Sequence, residues 1–97
     1  MLTGKQRRYL RSFGQRLTAT LHVGRDGVTG AVIEQAGTQL SAQELIKVRV
    51  SENAPASRHE TADELAARTR AEVVQVLGRT ALLYRERAEE PTIVLPT

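Results

Sequence analysis

Cysteine and tryptophan are absent from this chain, and aromatic residues are scarce: Tyr9, Phe13 and Tyr84 are the whole supply. The first absence excludes disulfides, thiolate metal ligands and a cysteine nucleophile, and it fits a reducing cytoplasm. With so few rings, the core has to be built from Leu, Val, Ile and Ala. Long apolar runs are missing too. None approaches the roughly 20 residues that cross a bilayer. The opening Met-Leu-Thr-Gly-Lys has no apolar signal core, so neither a membrane partner nor export is expected.

What is present points to a small folded domain. With 97 residues, 40% of them hydrophobic, the chain suits one domain spanning residues 1–97 and one modest core. It is too short for a deep enclosed chamber, and no small-molecule substrate is expected. The net charge of +3 is unevenly spread: residues 1–50 carry eight basic and three acidic side chains, and residues 51–97 carry six basic and eight acidic. A basic first half suits a polyanion, of which nucleic acid is the commonest. Ordinary solubility charge is the plainer alternative.

Thr3 and Gln6 have the spacing of a capping box, opening a helix that runs to about Phe13, with Gly14 ending it. Leu2, Gln6, Tyr9, Leu10 and Phe13 share one side of this helix; Lys5, Arg7, Arg8 and Arg11 share the other. A solvated helix face usually mixes signs to gain i,i+4 pairs, whereas here the cations stand together without an anion. Leu17 to Val23 alternates as a half-buried strand, with His22 an ordinary residue on its polar side. Gly24-Arg25-Asp26-Gly27 follows directly.

A second helix runs from Val28 or Thr29 to Leu40, with Val28, Ala31, Val32, Ala36 and Leu40 facing inward. Gly37 in its interior suggests close packing or an early end. Glu44 to Val50 is the second strand, with Ile46, Val48 and Val50 on one face and Leu45, Lys47 and Arg49 on the other. A third helix starts at Ser57 or Thr61, since both head capping boxes. Val73–Leu77 and Ala81–Arg85 form a hairpin closed by Gly78-Arg79-Thr80. Residues 86–97 read as a tail or short edge segment. The order α-β-α-β-α-β-β predicts a two-layer α/β sandwich: a small mixed four-stranded sheet with three helices. Each strand–helix–strand step favours parallel neighbours, and the closing hairpin is antiparallel.

The strongest local motif is the strand, Gly24-Arg25-Asp26-Gly27, helix sequence. Two glycines allow close backbone approach and positive φ, and a helix start offers free N–H groups that suit phosphate. Arg25 adds a planar fork of donors. Asp26 reads as a helix cap or a contact to a 2′-hydroxyl, yet its charge opposes a phosphate beside it. The spacing matches neither a P-loop nor a dinucleotide fingerprint, whereas KH domains clamp single-stranded RNA with a G-x-x-G loop. Lys47 and Arg49 form either an edge gatekeeper pair or a phosphate track; Arg79 in the hairpin and Arg85 at the end of the fourth strand extend the set with weaker claims. Tyr9 and Tyr84 are expected in the core rather than on bases, so readout should be of shape and backbone. Nothing forms a catalytic arrangement: His22 and His59 are far apart, and Glu89-Glu90 is a surface pair. No enzyme activity, metal or cofactor is expected.

Several separated segments together resemble a known family. Leu2-Thr3-Gly4-Lys5-Gln6-Arg7-Arg8-Tyr9-Leu10-Arg11 resembles the opening of the bacterial YhbY-like proteins, the stand-alone form of the CRM (chloroplast RNA splicing and ribosome maturation) domain. Val23 to Thr29 is similar to their glycine loop, Glu44 to Val50 to their second strand, and Val74–Thr80 with Leu83-Tyr84-Arg85 to their closing hairpin. The resemblance implies a fold similar to the C-terminal domain of bacterial translation initiation factor three. It also implies binding to ribosomal RNA in precursors of the large ribosomal subunit. The residues it marks are Gly24, Arg25, Asp26 and Gly27, with Lys5, Arg7, Arg8, Arg11, Lys47 and Arg49. One departure stands out: where the family commonly ends its third helix on a left-handed glycine, this chain has Arg70, so the helix is expected to end otherwise. A protein-interaction adaptor, docking the basic face on an acidic partner, is the competing function.

Overall fold

The computed structural model describes residues 1–97. Seven elements follow one another: α1 (Gly4–Gly14), β1 (Leu21–Val23), α2 (Gly30–Gln43), β2 (Leu45–Val50), α3 (Arg58–Thr69), β3 (Glu72–Leu77) and β4 (Thr80–Tyr84). This is the expected order and the expected mixed sheet of four strands.

Local chemistry accounts for most boundaries. The Gln6 N–H donates to Thr3 Oγ1 at 3.1 Å, and the Thr3 N–H donates back to Gln6 Oε1 at 3.0 Å, completing the box that opens α1. Between the two candidate starts of α3 the chain uses Ser57, whose hydroxyl accepts from the Glu60 N–H at 3.1 Å. Thr61 is buried inside that helix. Gly78 takes φ +58° at the first of two hairpin positions, a conformation that strand-matched turns require.

Other expectations shift. Gly14 ends α1 without a left-handed turn: Gln15 caps the helix in right-handed geometry. What Gly14 supplies is clearance, because a Cβ there would run into Leu82 Cδ1. β1 is only the last part of the alternating stretch, and Leu17–Thr20 precede it as loop. α2 starts at Gly30, with Thr29 as its cap, and continues past Leu40 to Gln43. Its interior Gly37 does not end the helix, and a Cβ added there would meet nothing, while Ala31 is exposed and Ile33 packs inward. Arg70 itself adopts the left-handed cap, at φ 59° and ψ 34°, so α3 ends in the glycine-like conformation without a glycine.

The strand order is β1-β2-β4-β3. β1 and β2 are parallel neighbours, while β4 runs antiparallel to both β2 and β3. β3 is therefore not the neighbour of β2, because β4 inserts between them. The cause is burial: Ala81, Leu82, Leu83 and Tyr84 are all buried, so β4 takes the centre, whereas Glu72 and Gln75 leave β3 fit for an edge.

Alternation along β2 and β4 sorts the core into two clusters. Ile46, Val48 and Leu83 join Leu21, Val23, Ala36, Leu40, Leu65 and Ala66 under α2 and α3, the expected second layer. Leu45, Leu82 and Tyr84 point the other way and meet Leu2, Leu10 and Val74 beneath α1. α1 therefore covers the opposite face of the sheet. Its stripe buries Leu2 and Leu10 but leaves Tyr9 and Phe13 at 38% and 43% exposure, so Tyr9 is not the core residue expected.

Residues 86–97 form no edge strand. They cross the α1 side as a strap, adding Ile93 and Leu95 to the second cluster. Glu44 anchors it. Its buried carboxylate accepts from the N–H groups of Arg87 (2.8 Å), Thr92 (2.6 Å) and Ile93 (2.9 Å) and from the Thr92 hydroxyl (2.7 Å). Burial alone would raise its pKa; the hydrogen bonds outweigh it and hold the group at about 2.

Candidate nucleic-acid interface

Ligands of α/β sheets collect beyond the carboxyl ends of parallel strands. In this chain β1 leaves that end into Gly24–Gly27 and β2 into residues 51–57, while Arg49 pairs with Thr80, bringing the Gly78–Arg79 turn to the same place. The Val50 N–H donates to the Arg79 carbonyl at 2.8 Å and fixes the turn there. A cleft of about 450 Å³ results, lined by His22, Val23, Gly24, Arg49, Ser51, Glu52, Asn53 and Arg79.

The glycine loop is a turn closed by the Gly27 N–H donating to the Gly24 carbonyl at 3.0 Å. Its two glycines do different work. Gly27 is buried at φ +72°, and a Cβ on it would stand 2.9 Å from Pro55 Cγ. Gly24 lacks positive φ, and a Cβ there would meet nothing. No internal contact demands glycine at position 24, and its backbone faces the open cleft. Arg25 and Asp26 stand exposed at the tip. Asp26 is not the cap of α2: Thr29 Oγ1 accepts the Val32 N–H at 3.2 Å. Val28 and Thr29 separate the loop from the helix, so the loop does not open straight onto the helix start as expected.

The expected cations divide by position. Arg49 is exposed and lines the cleft. Lys47 is half-buried two residues back on the same face, about 7 Å along the strand. Arg79 lines the cleft while pairing with Glu52 at 2.7 Å; both side chains are exposed, so the pair is a weak tether. Arg7 does not face outward, since its guanidinium donates to the Val73 carbonyl beside the bulge in β3. Lys5 and Arg8 are exposed near the start of α1, at the sheet end where the Leu2 N–H meets Glu72 at 3.2 Å. They are thus remote from the cleft, and Arg11 is half-buried between the two regions. Arg85 donates to the carbonyls of Thr69 (2.8 Å) and Gly37 (3.0 Å), tying α3 to α2.

Sequence reasoning missed His22, Ser51 and Asn53. Alternation already put His22 on the exposed side, but only the parallel register, which makes it the partner of Arg49, brings it into the cleft. No three His, Cys, Asp or Glu side chains come together in a way that could hold a metal ion.

The CRS1 / YhbY (CRM) domain profile matches residues 2–85. "Probable RNA-binding protein YqeI" of Bacillus subtilis is 43% identical over 96 residues, covering 99% of this chain and 100% of its own length. "Probable RNA-binding protein PA4753" of Pseudomonas aeruginosa is 35% identical over 85 residues, covering 88% of this chain and 82% of its own. The solution structure of SAV1595 from Staphylococcus aureus, described as a candidate RNA-binding protein, superposes with a TM-score of 0.85 at 42% identity, covering 99% of this chain and 100% of that one. The chain belongs to the CRS1 / YhbY (CRM) domain family.

Proposed function

We propose that this protein binds RNA, without catalysis, by gripping the backbone at the cleft beyond β1 and β2. The observation that carries the reading is the open backbone of Gly24 beside Arg49 and Arg79. A phosphate can approach Gly24 without a side chain in the way, while two guanidiniums offer paired donors suited to its oxygens. Arg25 and Lys47 extend the grip on either side. The names of the relatives agree in kind. The family resemblance further suggests ribosomal RNA in precursors of the large ribosomal subunit as the target.

Two measurements test this. Affinity for ribosomal RNA fragments should fall steeply as salt rises, because each phosphate contact releases counterions. Replacing Arg25 and Lys47 together by Glu should weaken binding at least about tenfold and leave the unfolding midpoint unchanged. A flat salt curve would sink the backbone reading. Crosslinking in cells, followed by sequencing of attached RNA, tests the target: recovery of RNAs other than large-subunit ribosomal RNA would overturn that part alone.

A further inference from the structure

On the α1 face of the sheet lies a second concavity, of about 420 Å³. That size falls in the range of roughly 300–1,000 Å³ that takes one small molecule or planar group. Phe13, Leu17, Leu45 and Ile93 wall it with apolar surface, and Gln43 and Lys47 give it a polar edge. No acidic side chain lines it.

Phe13 is 43% exposed here, although α1 has a buried stripe available to it. Tyr9 packs against it in a T-shaped contact, with centroids 5.0 Å apart at 88°, and this restrains the ring. Lys47 also ties this groove to the cleft, because Arg49 follows it on the same strand face about 7 Å further on. Lys47 and Phe13 line the same groove, so a backbone running from Arg49 to Lys47 reaches its rim.

We infer that the groove takes an unpaired nucleobase of the same RNA strand, stacked on Phe13 with its phosphate at Lys47. This rests on the RNA-binding reading above and specifies its ligand as single-stranded at this point. A duplex keeps its base faces stacked and cannot fill such a groove; a stacking face accepts any base, so the contact adds affinity without sequence readout. Ile93 belongs to the strap anchored by Glu44, so the C-terminal segment completes the groove.

The test uses the full chain with two probes of roughly 12 nucleotides, one single-stranded and one a blunt duplex. Phe13→Ala should weaken single-strand binding on the order of tenfold. Duplex affinity and the salt slope should not change, because the ring carries no charge. Phe13→Trp should restore binding. It would be the only tryptophan in the chain, and its emission should fall on adding the single strand but not the duplex. Unchanged single-strand affinity in Phe13→Ala, or unchanged emission from bound Phe13→Trp, overturns the inference. Arg49→Ala should weaken both probes. If it weakens neither, the cleft reading fails, and with it the strand path the groove requires.

Discussion

Gly24 and Gly27 sit three positions apart and answer to different demands. Gly27→Ala forces a side chain to φ +72° and against Pro55, so it should cost about 1–3 kcal/mol of stability in urea unfolding. Gly24→Ala should leave stability within about 0.5 kcal/mol but weaken RNA binding by closing the backbone to approach. Equal losses of stability would disprove this division. Glu44 supplies a second test. Its pKa in the fold is about 2, below the ordinary 4.5, so the unfolded chain takes up the proton first as pH falls. The stabilisation, on the order of 3 kcal/mol, is complete above about pH 4.5 and is lost between there and about pH 2. Glu44→Gln should lose much of it at neutral pH and flatten the acid limb of the stability curve.

The helices and strands were legible where short-range chemistry governs them. The Thr3–Gln6 box, the alternating Leu45–Val50 strand and the Gly78 turn need only neighbours in sequence, and all three formed. The end of α3 was not legible. A left-handed arginine costs about 1–2 kcal/mol in backbone terms, and a sequence gives no sign that a chain will accept it. The Ala71 N–H reaches the Ala66 carbonyl at 2.9 Å, so the turn is held by α3 itself. Arg70→Gly should therefore raise stability by roughly 0.5–1 kcal/mol, read as a higher melting temperature. A fall would mean that the Arg70 side chain contributes contacts beyond its backbone.

Across the whole molecule the basic residues of the first half do not make one surface. α1 has 11 residues and so spans about 16 Å, roughly twice the screening length at physiological salt. Lys5 lies in its first turn and Arg8 near its middle, so salt weakens their pull on a phosphate at the far end of the helix. With an RNA short enough to cover only the cleft, reversing Lys5 and Arg8 to Glu should weaken binding far less than reversing Lys47 and Arg49. Comparable losses would mean that the two ends act together.

The sequence alone determined the α/β class, the order of elements, the glycine loop between strand and helix, and the basic bias of the first half. Each depends on periodicity, capping or composition, which are local or additive properties. The tertiary structure decided what lies beside what. Insertion of β4 between β2 and β3 brought Arg79 to Arg49, and the parallel register brought His22 there as well. Packing of α1 on the second face left Tyr9 and Phe13 outside, turned Arg7 inward and gave the tail a surface to cross. Those outcomes follow from competition among segments far apart in sequence for a limited amount of buried apolar surface, and no window of neighbouring residues contains that information.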